Sequence, residues 1–273
     1  MPELPEVETV VRDLREPLVG RCFRSVTCGP HALRGGRLDE VRKSSRGKNV
    51  RSVERRGKWI IIDLDGAFLL VHLGMTGQLT VTSAKAPRQN HTHVTWILDA
   101  GDTELRFRDI RRFGGVYFFK SRQNLDAHFE KSGLGPEPFD MDPAYWRACL
   151  AKTSRSLKAI LLDQRVVAGV GNIYADESLF EAGLSPTLLG KNVSSRQADC
   201  LRRAVATVLR RGIDKRGSSI RDYVGGSGLL GTYQDEFRVY GRAGEPCRRC
   251  RMSIARIRLA GRSTHFCPKC QKR

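Results

Sequence analysis

The first eight residues of the chain, MPELPEVE, contain the groups best suited to covalent chemistry. Once an initiator methionine is removed, Pro2 carries the chain's only secondary amine, with the carboxylates of Glu3 and Glu6 nearby in sequence. An α-amino group has a reference pKa of about 8, so roughly a tenth of it is a neutral nucleophile at pH 7. The alternative is structural, because Pro2 and Pro5 could simply open a helix, where a missing N–H costs nothing.

Four cysteines near the C-terminus have the spacing of a metal site. They form two CxxC pairs with sixteen residues between them, and they are Cys247, Cys250, Cys267 and Cys270. Four thiolates around Zn²⁺ make a closed structural site, because no coordination position is left for water. The spacing therefore predicts one structural zinc ion, with a redox or disulfide role as the alternative. We expect the scattered cysteines to be buried small hydrophobes, namely Cys22, Cys28, Cys149 and Cys200.

A glycine-containing segment at 169–180, GVGNIYADESLF, invites comparison with dinucleotide-binding motifs. Tyr174 stands where the GxGxxG pattern needs its third glycine, and no alternation of parallel strands and helices surrounds the segment. Two glycines followed by Asn172 at the head of a helix are better suited to a phosphate oxygen. An ordinary helix N-cap after a glycine turn is the alternative.

Three predicted turns in the first half carry bulky or charged residues where small polar ones are usual. They are RRGKW at 55–59, HLGMTG at 72–77 and DIRRFG at 109–114. Met75 and Phe113 are either core plugs or exposed wedges, and Arg111 either contacts phosphate or is solvated. A wedge beside an arginine is what a protein needs to fill the space left by a base that has been unstacked.

The hydrophobic pattern divides the chain into a helix, a β-rich half and a helical half. Apolar residues at helical spacing predict a first helix that ends between Pro17 and Gly20. Eight alternating runs then indicate an antiparallel sandwich or barrel. They span 21–28, 50–55, 59–64, 68–73, 79–81, 94–98, 105–108 and 116–119. After a break at 131–138, helices are predicted over 143–152, 157–163, 173–182 and 195–211.

The charge balance predicts a polyanionic partner. Lysine and arginine number 48 against 29 aspartates and glutamates, which gives a net charge of +19. Nucleic acid is the first candidate and a membrane surface the second, although the sequence has no apolar run of about 18 residues. The acidic N-terminus does not resemble a signal peptide, so we expect a soluble cytoplasmic protein. His91 and His93 lack any metal-binding pattern around them, and we interpret them as surface histidines.

Taken in order along the whole chain, these motifs resemble those of the bacterial formamidopyrimidine-DNA glycosylases. They are PELPEVE, GKW, HLGMTG, DIRRFG, GVGNIYADESLF and the paired CxxC motifs. The resemblance implies an α+β protein with an N-terminal antiparallel β-sandwich at 1–132 that carries the catalytic residues. A helix-two-turn-helix domain follows at 133–238, with a lesion-capping loop at Gly217 to Gly231, and a four-cysteine zinc finger at 239–273. One structural Zn²⁺ is implied.

The resemblance also implies a bifunctional DNA glycosylase and abasic-site lyase of base excision repair. Such an enzyme removes oxidised purines, meaning 8-oxoguanine and formamidopyrimidines, from double-stranded DNA and cuts the strand by β,δ-elimination. We expect a monomer in the bacterial cytoplasm, associated with the nucleoid and not with a membrane. The alternatives are a sister glycosylase for oxidised pyrimidines and a non-enzymatic zinc-ribbon protein that binds nucleic acid.

By the same resemblance, Pro2 is the Schiff-base nucleophile and Glu3 a proton donor. Lys58 and Arg262 are further proton donors that contact phosphate. The remaining candidates contact DNA, and they are Met75, His93, Arg111, Phe113, Lys158 and Asn172. Among these, Met75, Arg111 and Phe113 match the family's void-filling set, with Arg111 facing the unpaired cytosine. Ile110 departs from the family, which often has proline at this position.

Overall fold

The computed structural model describes residues 2–219 and 223–272. Met1, whose removal the expected nucleophile requires, and residues 220–222 of the expected lesion-capping loop lie outside the described residues. The chain packs as two compact units, one of residues 1–132 with 215–232 and one of residues 133–214 with 233–273. The division into three domains stays a prediction.

The first unit is built on two four-stranded antiparallel sheets, which confirms the predicted sandwich. The strands of one sheet, in spatial order, are β1 (Phe23–Cys28), β6 (Thr92–Leu98), β7 (Thr103–Asp109) and β5 (Gly77–Ser83). Those of the other are β2 (Val50–Arg56), β3 (Trp59–Leu64), β4 (Ala67–His72) and β8 (Gly115–Phe119). Alternate side chains of both sheets fill one apolar core, including Phe23, Trp96 and Phe107. Each strand overlaps one of the eight predicted runs.

Helix α1 (Leu4–Leu18) fixes the N-terminal segment to this core, and it ends where the sequence predicts. Its apolar stripe is fully buried among the side chains of both sheets, and consists of Val7, Val10, Val11, Leu14 and Leu18. Two polar contacts join it to β2. Arg15 Nε donates to the Val53 carbonyl at 3.1 Å. Arg55 Nε donates to Glu8 Oε2 at 3.0 Å. The chain end before α1 is therefore attached to a rigid element.

Two helices of this unit were not predicted, α2 (Leu38–Ser45) and α3 (Arg122–Ser132). Each offers few apolar positions, because α2 is only eight residues long and buries only Val41 and Ser45, and α3 buries only Leu125. Ser45 nevertheless has a structural role, since its hydroxyl accepts a hydrogen bond from the buried Trp96 indole at 3.1 Å.

The second unit is helical apart from a C-terminal hairpin. Its helices overlap the four predicted ones and are α4 (Pro143–Ala151), α5 (Leu157–Leu162), α6 (Asn172–Ala182) and α7 (Ser195–Asp214). Short 3₁₀ turns span Gly190–Asn192 and Tyr233–Glu236, and the hairpin pairs β9 (Ala255–Leu259) with β10 (Arg262–Phe266). Trp146 of α4 is fully buried and donates to the Ala198 carbonyl of α7 at 2.9 Å. Within the described residues, no helix has the length and apolar character needed to cross a membrane.

The expectation for the four scattered cysteines was wrong, because all of them are only partly buried: Cys22, Cys28, Cys149 and Cys200. Apolar neighbours in sequence do not decide which way a side chain faces, since successive residues of a strand point to opposite sides of the sheet. Cys28, for example, ends β1, and its thiol lies 3.4 Å from the Leu38 carbonyl oxygen.

The packing of α1 leads to a prediction about stability. Leu14→Ala removes a fully buried side chain from the core and should lower the free energy of unfolding by about 2–5 kcal/mol. Glu16→Ala, on the exposed side of the same helix, is the matched control and should change it by less than about 0.5 kcal/mol. Urea unfolding monitored by tryptophan fluorescence measures both. Equal midpoints for the two variants would show that α1 is not held by its apolar face.

Candidate functional site

The candidate nucleophile lies in a buried N-terminal segment. Pro2 is buried, Glu3 is the N-cap of α1, and Glu3 and Glu6 are each only 2% exposed. The Glu6 carboxylate accepts the Glu3 backbone N–H through one oxygen, at 2.9 Å, and the Ser218 N–H through the other, at 2.8 Å. One carboxylate therefore holds the peptide next to Pro2 and residue 218 at fixed positions relative to each other.

Lys58 occupies the turn between β2 and β3 and is only 7% exposed. The next residue, Trp59, pairs across the sheet with His72, and their ring centroids are 4.6 Å apart. Burial, and then the nearby charge of Lys58, lowers the pKa of His72 to about 4. His72 is thus neutral at pH 7, and its Nδ1 accepts the Gly74 N–H at 3.1 Å. This neutral ring supports the turn that carries Met75.

The turns that carry Met75 and Arg111 lie side by side because of the strand order. The first connects β4 to β5 and the second connects β7 to β8, so both cross from one sheet to the other. Since β4 pairs with β8 and β5 with β7, the two connections begin and end on neighbouring strands. His72 is opposite Gly115 in one pair, and Gly77 is opposite Asp109 in the other.

A single buried carboxylate, that of Asp109, binds both of these turns. It accepts hydrogen bonds from the Thr76 hydroxyl in the first turn, and from the backbone N–H groups of Arg111, at 3.2 Å, and Gly114, at 2.7 Å, in the second. Asp109 is fully buried. The Thr76 hydroxyl oxygen also accepts the Arg111 N–H at 3.1 Å, which joins the two turns directly.

The interpretation of His93 as a surface residue was wrong. His93 is 2% exposed, and its Nε2 lies 2.9 Å from the Asp109 carbonyl oxygen. His91 is exposed as predicted, but it precedes β6 and has a φ of 68°, so the two histidines do not share a strand face. A contact between His93 and DNA stays a prediction.

Phe113 is exposed and is therefore not a core plug. It is 40% exposed, and the guanidinium carbon of Arg111 lies 4.5 Å from its ring centroid. Arg34 approaches the same ring at 5.9 Å. Arg111 is itself exposed and Met75 is partly buried. An aromatic ring with cations against its face combines an apolar surface with positive charge.

In the second unit, Lys158 lies inside the protein. It is fully buried, and its ammonium donates to Asp176 Oδ1 at 2.6 Å and to the Asn172 carbonyl at 2.8 Å. Asn172 is the first residue of α6, as predicted, and Gly171 is the N-cap. The Lys158 ammonium is therefore attached to the peptide of Asn172, and a direct contact between Lys158 and the DNA backbone stays a prediction.

Asn172 and Asp176 also bind the C-terminal hairpin. Asn172 Nδ2 donates to the Ser263 carbonyl at 3.0 Å, and Asp176 Oδ2 accepts the His265 N–H at 2.9 Å. Ser263 and His265 belong to β10, which begins at the exposed Arg262. The side chain of Arg262 consequently starts from a strand that α6 holds in place.

Sequence reasoning missed a second acid of α6, Glu177. It is 2% exposed, and its carboxylate accepts the backbone N–H groups of Arg238, Val239 and Tyr240 at 2.8–3.1 Å. Burial raises the pKa of Glu177, while these hydrogen bonds oppose that shift. The sequence did carry one signal for buried, hydrogen-bonded acids here, because Asp176 and Glu177 are adjacent within the predicted helix.

The four CxxC cysteines form a cluster that fits one metal ion. Their sulfurs all lie within 4.8 Å of one another, with Cys250 and Cys267 3.4 Å apart and Cys247 and Cys270 3.9 Å apart. Tetrahedral Zn–S bonds of about 2.3 Å require sulfur–sulfur distances of roughly 3.8 Å, so the cluster has the right size. Phe180, Val239 and Ile254 form a small apolar core with the cysteines.

Comparison with known proteins agrees with this architecture. Residues 1–116 match the family model of the formamidopyrimidine-DNA glycosylase N-terminal domain, residues 134–224 its H2TH domain, and residues 244–273 the zinc finger found in FPG and IleRS. The formamidopyrimidine-DNA glycosylase of Carboxydothermus hydrogenoformans is 43% identical over 276 residues, covering 100% of both chains. That of Bacillus subtilis is 39% identical over 275 residues, covering 99% of each.

Solved structures give the same result. A Lactococcus lactis FPG mutant in complex with Fapy-dG containing DNA is 36% identical and superimposes with a TM-score of 0.93, covering 100% of both chains. Lactococcus lactis Fpg in complex with DNA that contains an abasic site gives 0.92 at 36% identity, covering 99% of this chain and 100% of the other.

The β-sandwich, the helical unit and the four-cysteine hairpin together define a DNA-repair glycosylase with a structural zinc ion. The chain belongs to the formamidopyrimidine-DNA glycosylase family.

The lowered pKa of His72 predicts a pH-dependent stability. The unfolded state takes up a proton near pH 6.5 and the folded state only near pH 4, so the free energy of unfolding should fall as the pH drops through this range. The loss reaches about 3 kcal/mol by pH 4. The His72→Gln variant lacks this contribution. His128 and the cysteines also titrate, but they are present in both the wild type and the variant and so do not contribute to the difference. Urea titrations at pH 7 and pH 4 should show the difference, and the same pH dependence in both proteins would contradict it.

The buried pair of Lys158 and Asp176 makes a second prediction. Asp176→Asn leaves a buried ammonium without its counter-charge and should cost about 3–5 kcal/mol of stability. The double variant Lys158→Met, Asp176→Asn removes both charges and should cost less than the single one. Asp126→Asn, which breaks the exposed pair with Arg122, is the control and should cost less than about 1 kcal/mol. If both Asp variants cost the same in urea unfolding, the pair has no special role.

Proposed function

We propose that this chain excises oxidised purines from duplex DNA and then cuts the strand at the resulting abasic site, through a Schiff base on Pro2. The observation that carries the proposal is the N-terminal turn. There, the buried Pro2 precedes Glu3, the N-cap of α1. The Glu6 carboxylate accepts the Glu3 backbone N–H and so fixes the peptide bond between Pro2 and Glu3. A chain-terminal amine needs such support to act as a positioned nucleophile. The substrates are 8-oxoguanine and formamidopyrimidines.

The chemistry follows from the secondary amine. The neutral amine of Pro2 attacks the anomeric carbon of the damaged nucleotide and displaces the base. Loss of the ring oxygen from that carbon then gives an iminium ion, which is positively charged without needing a proton. It withdraws electrons from the neighbouring sugar carbon, which can lose a proton, and successive β- and δ-eliminations release the strand on both sides. Glu3, Lys58 and Arg262 donate the protons that the leaving oxygens require.

The DNA contacts divide between the two units. In the first, Met75, Arg111 and Phe113 would fill the space of the extruded nucleotide, with Arg111 facing the opposite cytosine. In the second, Asn172 and Arg262 would contact the DNA backbone. Lys158 would support Asn172 by donating a hydrogen bond to the Asn172 carbonyl oxygen. His93 would act with the first group through its hydrogen bond to Asp109.

The zinc ion, held by the four CxxC cysteines, would supply folding energy to the C-terminal hairpin and no open coordination position. The domain division at 1–132, 133–238 and 239–273 is part of this proposal. We further propose a monomer that acts in the bacterial cytoplasm on nucleoid DNA, without membrane contact. The net charge of +19 supports the polyanionic partner.

One observation keeps a second substrate class in view. A similar Lactococcus lactis FPG structure, 36% identical, is described as a complex with DNA that contains an oxidised pyrimidine. Oxidised pyrimidines are therefore a second candidate for this chain, and the experiment below includes them.

Borohydride trapping tests the proposed nucleophile and the substrate together. Protein whose N-terminal peptide begins at Pro2 by mass spectrometry should give a covalent complex with an 8-oxoguanine:C duplex, and the adduct should map to Pro2. The same protein with Met1 retained should give none, because its proline nitrogen is part of a peptide bond. Faster cleavage of thymine glycol:A than of 8-oxoguanine:C would reassign the substrate. The absence of any adduct from correctly processed protein would remove the lyase proposal.

A further inference from the structure

The two turns that carry Met75 and Phe113 are in direct backbone contact. Gly74 has a φ of +61°, and a Cβ placed on it would lie 2.4 Å from Gly114 N and 2.5 Å from the Phe113 carbonyl carbon. A Cβ on Gly114 would in turn lie 2.6 Å from the His72 carbonyl oxygen. Neither position tolerates a side chain, so the backbones touch and any shift of one turn moves the other.

The carboxylate of Asp109 determines how these two backbones are aligned. Its two oxygens accept three donors, with Thr76 Oγ1 and Arg111 N on Oδ1 and Gly114 N on Oδ2. An amide cannot replace it. If the Asn oxygen faces Arg111, its NH₂ group faces the Gly114 N–H, and the reverse orientation sets NH₂ against the Arg111 N–H. Either way a buried donor is left opposite another donor.

We propose that Asp109 is a positioning residue that sets the placement of Met75 relative to Arg111 and Phe113, and thereby the enzyme's discrimination of the base opposite the lesion. The inference rests on the proposed function, in which this set fills the duplex. Asp109 is fully buried and contacts the substrate only through the residues it holds. Its removal should therefore disturb the handling of the opposite strand and leave chemistry at the N-terminus intact.

The test uses the full-length zinc-loaded protein and three DNA substrates. They are duplexes with 8-oxoguanine opposite C, duplexes with 8-oxoguanine opposite A, and a single-stranded oligonucleotide with an abasic site, which has no opposite base. Asp109→Asn should lower kcat/KM on 8-oxoguanine:C by about tenfold or more, since small misplacements of a positioned group have effects of this size. The ratio of kcat/KM for C over A should move towards one. Borohydride trapping on the single strand should stay within about twofold of wild type.

Glu104→Gln is the matched control. Glu104 is a buried carboxylate on the same strand, β7, at 3% exposure, but its partners are Arg88 and Arg106 and not the two turns. This variant measures the effect of removing a buried charge from the sandwich, and it should leave all three activities within about twofold of wild type. Thr76→Val removes one of the three donors to Asp109 and should lower the C over A ratio in the same direction by less.

The outcomes separate the two proposals. If wild type does not process 8-oxoguanine, the proposed function fails and the inference falls with it. If wild type is active and Asp109→Asn keeps the wild-type C over A ratio, or loses single-strand trapping in equal measure, only the inference is overturned. Should Asp109→Asn fail to fold, Thr76→Val decides, and an unchanged ratio in that variant overturns the inference.

Discussion

The burial of the α1 apolar stripe in the sandwich core is the interaction on which the proposed active site depends. A chain end has the greatest conformational freedom in a protein, and an amine located there is an effective nucleophile only if that freedom is removed. The stripe from Val7 to Leu18 removes it, because it packs among side chains from both sheets. Pro5 lies in the first turn of α1 and Pro2 directly before its N-cap Glu3, so the structural role of these prolines is compatible with the proposed chemistry.

Buried carboxylates that accept backbone N–H groups recur at the N-terminal segment and at several of the loops. Glu6 binds residues 3 and 218, and Asp109 binds the turns that carry Met75 and Arg111. Asp176 binds β10, and Glu177 binds residues 238–240. A loop lacks the internal hydrogen bonds of a helix or sheet, and a carboxylate with two acceptor oxygens can satisfy several of its backbone donors. The chain has a net charge of +19, yet these acids are buried inside it. They hold the backbone of the segments on which the candidate basic and apolar site residues lie.

The C-terminal hairpin is stabilised in two ways. It is too small to bury an adequate core, and the four-cysteine cluster with Phe180, Val239 and Ile254 replaces one. Asn172 and Asp176 of α6 then fix β10 through Ser263 and His265, so that Arg262 begins a strand held at several points. Lys158 is fully buried in this arrangement, and its ammonium holds the Asn172 carbonyl and the Asp176 carboxylate together.

The sequence by itself determined the elements whose signals are local. The period of two gave the eight strands, the helical spacing gave α1 and α4–α7, and the CxxC spacing gave the zinc ligands, because each pattern lies within a short stretch of chain. The helices α2 and α3, which bury few residues, depend on distant packing partners that no local pattern encodes. The same holds for the burial of His93 and the partial exposure of the scattered cysteines. Only the tertiary structure brought the Met75 and Phe113 turns together on Asp109, because that contact requires β4 beside β8 and β5 beside β7, and strand order is a property of the whole sandwich.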